Sequence, residues 1–162
     1  KNAESIITLG ISFGAPSTII VTEMYKKIVL KCFLISPVTD FKKAFIFPST
    51  QWGKDYFGYN RILSSIKLGR LIMDQGYILS SKVLTEMLLV DMPAFIEKTD
   101  YDISIFHGEC DETIDISSSK ETSIIRKGIK LTVLPETEHG LTKIGDTFFC
   151  DMISLKNIEV FN

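Results

Sequence analysis

Apolar residues along this chain fall into two kinds of stretch: short unbroken runs ended by turn residues, and longer stretches in which they recur at helical spacing. The runs are Ser5–Leu9 (SIITL), Ile28–Ile35 (IVLKCFLI), Ile103–Phe106 (ISIF) and Ile129–Leu134 (IKLTVL). Ser36-Pro37 ends the second, His107-Gly108 the third and Pro135 the fourth, as expected of buried strands bounded by breakers. Within Ser80–Val90, Val83, Leu84, Met87 and Leu88 share one helical face. Ser117–Lys127 contains Ser118-x-x-Glu121, a candidate capping box. The stretch from about Phe148 to Phe161 reads as a terminal amphipathic helix. Strands alternating with helices predict an α/β domain with a mainly parallel sheet and flanking helices.

One segment runs against its own propensity. Ser17–Thr22 (STIIVT) is rich in β-branched residues and alone would be read as a strand. It follows Gly10-Ile11-Ser12-Phe13-Gly14, however, and a strand leading into G-x-S-x-G demands a tight turn and then a helix. Pro16 is acceptable in the first turn of that helix, where its missing N–H has no intrahelical acceptor. In such an elbow Ser12 occupies a strained backbone position, and the glycines at 10 and 14 leave room for neighbouring chain. The N–H of Phe13, at the positive end of the new helix, is then placed to stabilise an oxyanion.

Composition narrows the chemistry. The 162 residues carry 18 Lys+Arg against 20 Asp+Glu, so no broad positive field is available for a phosphate backbone. No apolar run approaches the roughly 18–20 residues of a membrane-spanning helix. Nucleic-acid binding and membrane insertion are therefore not expected. Cys32, Cys110 and Cys150 are odd in number and lack the close pairing of a zinc or redox site, and no signal peptide opens the chain, so a reducing, cytoplasmic setting is expected. Cys110 reads as a packed thiol. The length suits one domain, yet the chain reaches its most informative motif within a dozen residues of Lys1, so an N-terminal part is expected upstream.

If Ser12 is a nucleophile, its base is sought among two histidines, His107 and His139. His139 lies in Glu136-Thr137-Glu138-His139-Gly140, after the last strand, where sites gather at the carboxyl edge of an open α/β sheet. His107 reads as a loop residue satisfied by backbone hydrogen bonds and is left out of the site. Asp111 lies in the loop after the third run, with Glu112 and Asp115 as nearby substitutes. The order Ser12, Asp111, His139 is the Ser, acid, His order of one class of hydrolase, and it puts all three at strand ends on one edge.

Four pieces, ITLGISFGAPS, CFLISPVTDF, ISIFHGECDETI and LPETEHGLT, together resemble the α/β-hydrolase superfamily, and the resemblance runs over nearly the whole chain. The style is similar to small serine hydrolases of the esterase and prolyl-oligopeptidase-like branch, whose acid loop has an HGxxD pattern. Ala15 stands where many relatives have a second glycine. The resemblance implies that this chain corresponds to the C-terminal half of a larger sheet, from the nucleophile elbow onward, with the second oxyanion donor upstream of Lys1. It also implies that residues from about 45 to 100, with Trp52, Tyr56, Phe57, Tyr59 and Tyr77, form a cap-like insertion whose aromatics line an acyl pocket or pack the cap onto the sheet.

The function this supports is a serine hydrolase acting on a small acyl substrate through an acyl-enzyme, with neither cofactor nor metal. The alternative is a non-catalytic α/β-hydrolase-like domain or fragment that binds a partner. A phosphate-binding role for GISFG is weak, since no Lys-Ser/Thr ending or dinucleotide fingerprint follows.

Overall fold

The four apolar runs become four parallel strands, β1 (Ile6–Ile11), β2 (Val29–Ile35), β5 (Ile103–Gly108) and β6 (Ile129–Leu134), in the spatial order β1-β2-β5-β6. The computed structural model describes residues 4–73 and 76–141. The helix expected near Phe148–Phe161 lies outside the described residues. Helix α1 (Gly14–Met24) joins β1 to β2, and α6 (Ile116–Ile125) joins β5 to β6. Because all four strands run the same way, Ile11, Ile35, Phe106 and Thr132 lie level across the sheet, and the loops that follow share one edge.

Side chains alternate across the sheet as a two-residue period requires. Cys32 and Leu34 of β2 join Ala15 and Ile19 of α1, with Ile103 and Ile105, in the larger apolar cluster. Phe33 and Ile35 turn to the other face and meet Phe106, Leu134 and Leu141. Strand β5 is buried along almost its whole length, which is why it reads as an apolar run rather than an alternating one. The β-branched segment Ser17–Thr22 is helical within α1, where Ile19 and Thr22 bury against the sheet, so tertiary packing overrides propensity.

Between β2 and β5 lie a π-helical turn (Lys42–Ile46), helices α2 (Gln51–Tyr56) and α3 (Tyr59–Leu68), a hairpin of β3 (Arg70–Ile72) and β4 (Ile78–Ser80), and helices α4 (Ser81–Leu89) and α5 (Met92–Glu97). Thr50, Ser80 and Asp91 cap α2, α4 and α5 by accepting from the amides of Gly53, Val83 and Ala94. Phe45, Phe57, Ile62, Leu71, Leu84, Met87, Met92 and Ile96 share the core cluster of the sheet. Trp52 and Tyr56 pack against that core, whereas Tyr59 and Tyr77 are exposed. The cap of α6 differs from the expected one: Asp115, not Ser118, accepts from Ser117 N at 2.7 Å, and Ser118 is buried inside the helix. The acidic residue that opens the helix one turn earlier offers the stronger acceptor. Among the described residues no helix is long and apolar enough to cross a membrane.

Candidate active site

Ser12 follows β1 with a φ of +51°, a left-handed conformation that is strained for a residue bearing a Cβ. Its peptide groups are held from both sides. Its N–H donates to Ile35 O at 2.9 Å, and its carbonyl accepts from Ala15 N and from Val38 N, each at 3.1 Å. Gly10 is required by close packing, because a Cβ there would lie 2.6 Å from Thr18 Oγ1 and 2.9 Å from Ala15 Cα. Gly14 is not required in that way: a Cβ there would meet nothing within 4 Å among the described residues, so the expectation holds at Gly10 and is corrected at Gly14. Phe13 occupies the N-cap of α1, and among the described residues its N–H donates to no backbone carbonyl outside regular structure.

His139 opens a short 3₁₀ turn (His139–Leu141) after β6. Its Nε2 lies 3.0 Å from Ser12 Oγ, and its Nδ1 lies 2.8 Å and 3.0 Å from Asp111 Oδ2 and Oδ1. An ionised carboxylate only accepts, so Nδ1 carries the proton and Nε2 is free to accept from the Ser12 hydroxyl. The loop reaches this place because β5 lets it pass close. A Cβ on Gly108 would sit 2.2 Å from Thr137 O and 2.7 Å from Glu138 O. Cys110 N donates to Thr137 O at 2.9 Å, and Gly140 N donates to Ser36 Oγ at 3.2 Å.

Asp111 is buried between these loops. Oδ1 accepts from Thr113 N at 3.0 Å and Ile114 N at 2.9 Å. Burial alone would raise its pKa, but hydrogen bonds from His107, His139 and the Ile114 amide outweigh it and hold the carboxyl well below the usual carboxylate range. Asp115 is occupied elsewhere, capping α6 and accepting from Ser49 Oγ.

The structure thus brings Ser12, His139 and Asp111 into one hydrogen-bonded line, with the Phe13 amide beside it. Two expectations need correction. His107 belongs to β5 rather than to a loop, is fully buried, and bonds side chains as well as backbone. Cys110 is an exposed thiol, because its backbone and not its side chain faces the histidine loop. Ser36, which sequence reasoning treated as a strand stop, is buried with φ +41°; its N–H donates to Phe106 O at 2.8 Å while its hydroxyl braces Gly140. Proximity of this kind has no signal in periodicity. Among the described residues no group of three or more His, Cys, Asp and Glu side chains is arranged to hold a metal ion.

No protein-family model matches the sequence, and no curated protein sequence matches it. Solved structures do match. Est1E from Butyrivibrio proteoclasticus is 17% identical with a TM-score of 0.65, over 93% of this chain and 62% of that one. The monoacylglycerol lipase of Paleococcus ferrophilus is 15% identical with a TM-score of 0.64, over 92% and 66%. The esterase RhEst1 from a Rhodococcus species is 15% identical with a TM-score of 0.60, over 93% and 64%. The chain therefore has an α/β-hydrolase fold and spans about two thirds or less of the length of these structures.

Proposed function

We propose that this chain carries the nucleophile, base and acid of a serine hydrolase that cleaves a carboxylic ester, or a related thioester or amide. The observation that carries the reading is the line Ser12 Oγ, His139, Asp111, drawn from three strand ends and closed by contacts of 3.0 Å and 2.8 Å. The esterase and lipase names of the matching structures support the same chemistry.

In this reading neutral His139 takes the Ser12 proton at Nε2 as Oγ attacks the substrate carbonyl carbon, and the carbonyl electron pair moves onto oxygen. Phe13 N–H donates to that oxyanion. Collapse expels the alcohol, which leaves with the proton from His139. Water then attacks the acyl-enzyme by the same route in reverse. Asp111 keeps His139 in the Nδ1–H tautomer and stabilises the imidazolium that forms. The buried Cys32 thiol is no rival nucleophile, since burial raises its pKa against the opposing hydroxyls of Thr8 and Thr22. Neither a cofactor nor a metal enters this mechanism.

The second oxyanion donor is assigned to a segment upstream of residue 1, which would also pair with β1. Leu9 and Ile11 on that strand are 43% and 46% exposed, as an edge awaiting a neighbour would leave them. Residues from about 45 to 100 act as a cap in this reading. The half-exposed Phe13 ring, 5.9 Å from Phe45 and 6.1 Å from Phe41, continues their aromatic cluster to the nucleophile and suits an apolar acyl group. A cytoplasmic setting accords with the free thiols of Cys32 and Cys110.

The test is labelling with a fluorophosphonate probe, with the adduct located by peptide mass spectrometry and Ser12→Ala run alongside. Labelling confined to Ser12 is the expected result. Failure to label, persisting after an upstream segment is restored, would instead leave a non-catalytic α/β-hydrolase-like domain that binds a partner.

A further inference from the structure

Asp111 is held by a second imidazole. His107 stands next to last in β5, level with Val133 of β6, and its ring is fully buried. Its Nε2 faces two acceptors, Ile114 O at 3.0 Å and Asp111 Oδ2 at 3.2 Å. A carbonyl and a carboxylate cannot donate, so Nε2 carries the proton. On the other side of the ring, Nδ1 lies 2.8 Å from Ser119 Oγ on α6, and in the neutral ring the hydroxyl donates to it.

We infer that His107 is a positioning residue of the Ser12 site, its Nε2–H shared between Ile114 O and Asp111 Oδ2 so that the carboxylate meets His139 in one orientation. The consequence for turnover rests on the hydrolase reading above; the hydrogen-bond arrangement does not. Each carboxylate oxygen has donors of its own. The amides of Thr113 and Ile114 reach Oδ1, while His107 joins His139 on Oδ2, the oxygen closer to His139 Nδ1. Without His107, Oδ2 would depend on the same imidazole it is meant to orient. The line then runs from Ser12 through His139, Asp111 and His107 to Ser119, anchoring a half-exposed site to a buried helix face.

Two variants separate the donor from the volume it fills. His107→Gln can present an amide N–H near the Nε2 position, whereas His107→Phe keeps a ring and loses every hydrogen bond. The expected result is a fluorophosphonate labelling rate at Ser12 about 10- to 100-fold lower in His107→Phe, as for other outer partners of site groups, with most of the rate recovered in His107→Gln. With p-nitrophenyl acetate the loss should appear in kcat rather than KM. Equal labelling of folded His107→Phe and wild type would overturn the inference, and so would equal losses in both variants.

A measurement on the unmodified protein guards against a variant that does not fold. Nitrogen-15 NMR of the imidazoles should show His107 protonated at Nε2 and a far-downfield His139 Nδ1–H; a bare Nε2 on His107, or no such His139 proton, would overturn the proposal. If that proton is present and moves in His107→Phe while Ser12 never labels, the positioning role stands and the hydrolase reading is what fails.

Discussion

The two sides of this sheet are finished to different degrees. On the β5–β6 side, His107 and Ile105 have no exposed surface, Asp111 has donors on both oxygens, and the histidine loop is tied to β2 through Ser36. On the β1 side, Leu9, Ile11 and Phe13 are each more than 40% exposed, and among the described residues β1 pairs only with β2. Asp111 and His139 are thus held by burial and hydrogen bonding within the chain. Ser12 is fixed by backbone strain and by β2, with its outer side open. Under the proposed function, a strand added beside β1 would supply a partner for that strand and for the oxyanion, not the orientation of Asp111 and His139.

The largest effects should come from the finished side. In Asp111→Asn the amide can donate to His139 Nδ1 and stabilise the wrong tautomer, leaving Nε2 unable to take the Ser12 proton. A fall of about 10⁴-fold in the labelling rate is expected, with Ser12 still present and the fold retained. A fall of less than tenfold would mean that Asp111 does not orient His139. The same variant changes the pH dependence of stability. The wild-type carboxyl has a folded pKa below its ordinary value of 3.8, so its stabilisation is complete well above that value and is lost as pH falls through the folded pKa. Denaturant midpoints should therefore fall more steeply below about pH 4 in the wild type than in Asp111→Asn.

Gly108→Ala sharpens the comparison by setting the two sides against each other. The new methyl must displace the backbone at Thr137 and Glu138, which costs about 1–3 kcal/mol or more and drags His139 away from Ser12. Gly14→Ala enters open space at the start of α1 and should change stability by about 1 kcal/mol or less, favourably if at all. Thermal melts of the pair measure the difference directly. Equal destabilisation would mean that the Ser12 side is packed as tightly as the Asp111 side.

How much of this contrast was legible depends on whether it is local in the chain. The four strands follow from apolar runs because buried parallel strands need no polar alternation, and β1 is longer than its reading only because pairing continues through Gly10 to Ile11. The helix at Ser17–Thr22 was legible only through the motif preceding it. The line from Ser12 to His139 to Asp111 followed from the order of three loops. The brace of Ser36 on Gly140 is set by how loops cross in space and no residue spacing encodes it, whereas the ring of His107 meets Asp111 within the four-residue span of the HGxxD pattern, where the spacing was visible but the contact was not. The β3–β4 hairpin escaped because three-residue strands are too short to show a period.

The smallest effect is expected at the open edge, where it also says most about what covers β1. Leu9 is more than two fifths exposed, so Leu9→Thr removes little buried apolar surface from this chain and should shift its stability by no more than about 0.5 kcal/mol. Ile105→Val in fully buried β5 should cost about 0.5–1.5 kcal/mol for a smaller change in volume. Light scattering should fall in Leu9→Thr, because an apolar unpaired edge is a template for association. Repeating both melts on a chain extended upstream decides whether that edge has a partner. There Leu9 becomes interior and its substitution should cost as much as the one at Ile105, whereas an unchanged small effect would mean that β1 is a true edge strand and that the second oxyanion donor comes from elsewhere.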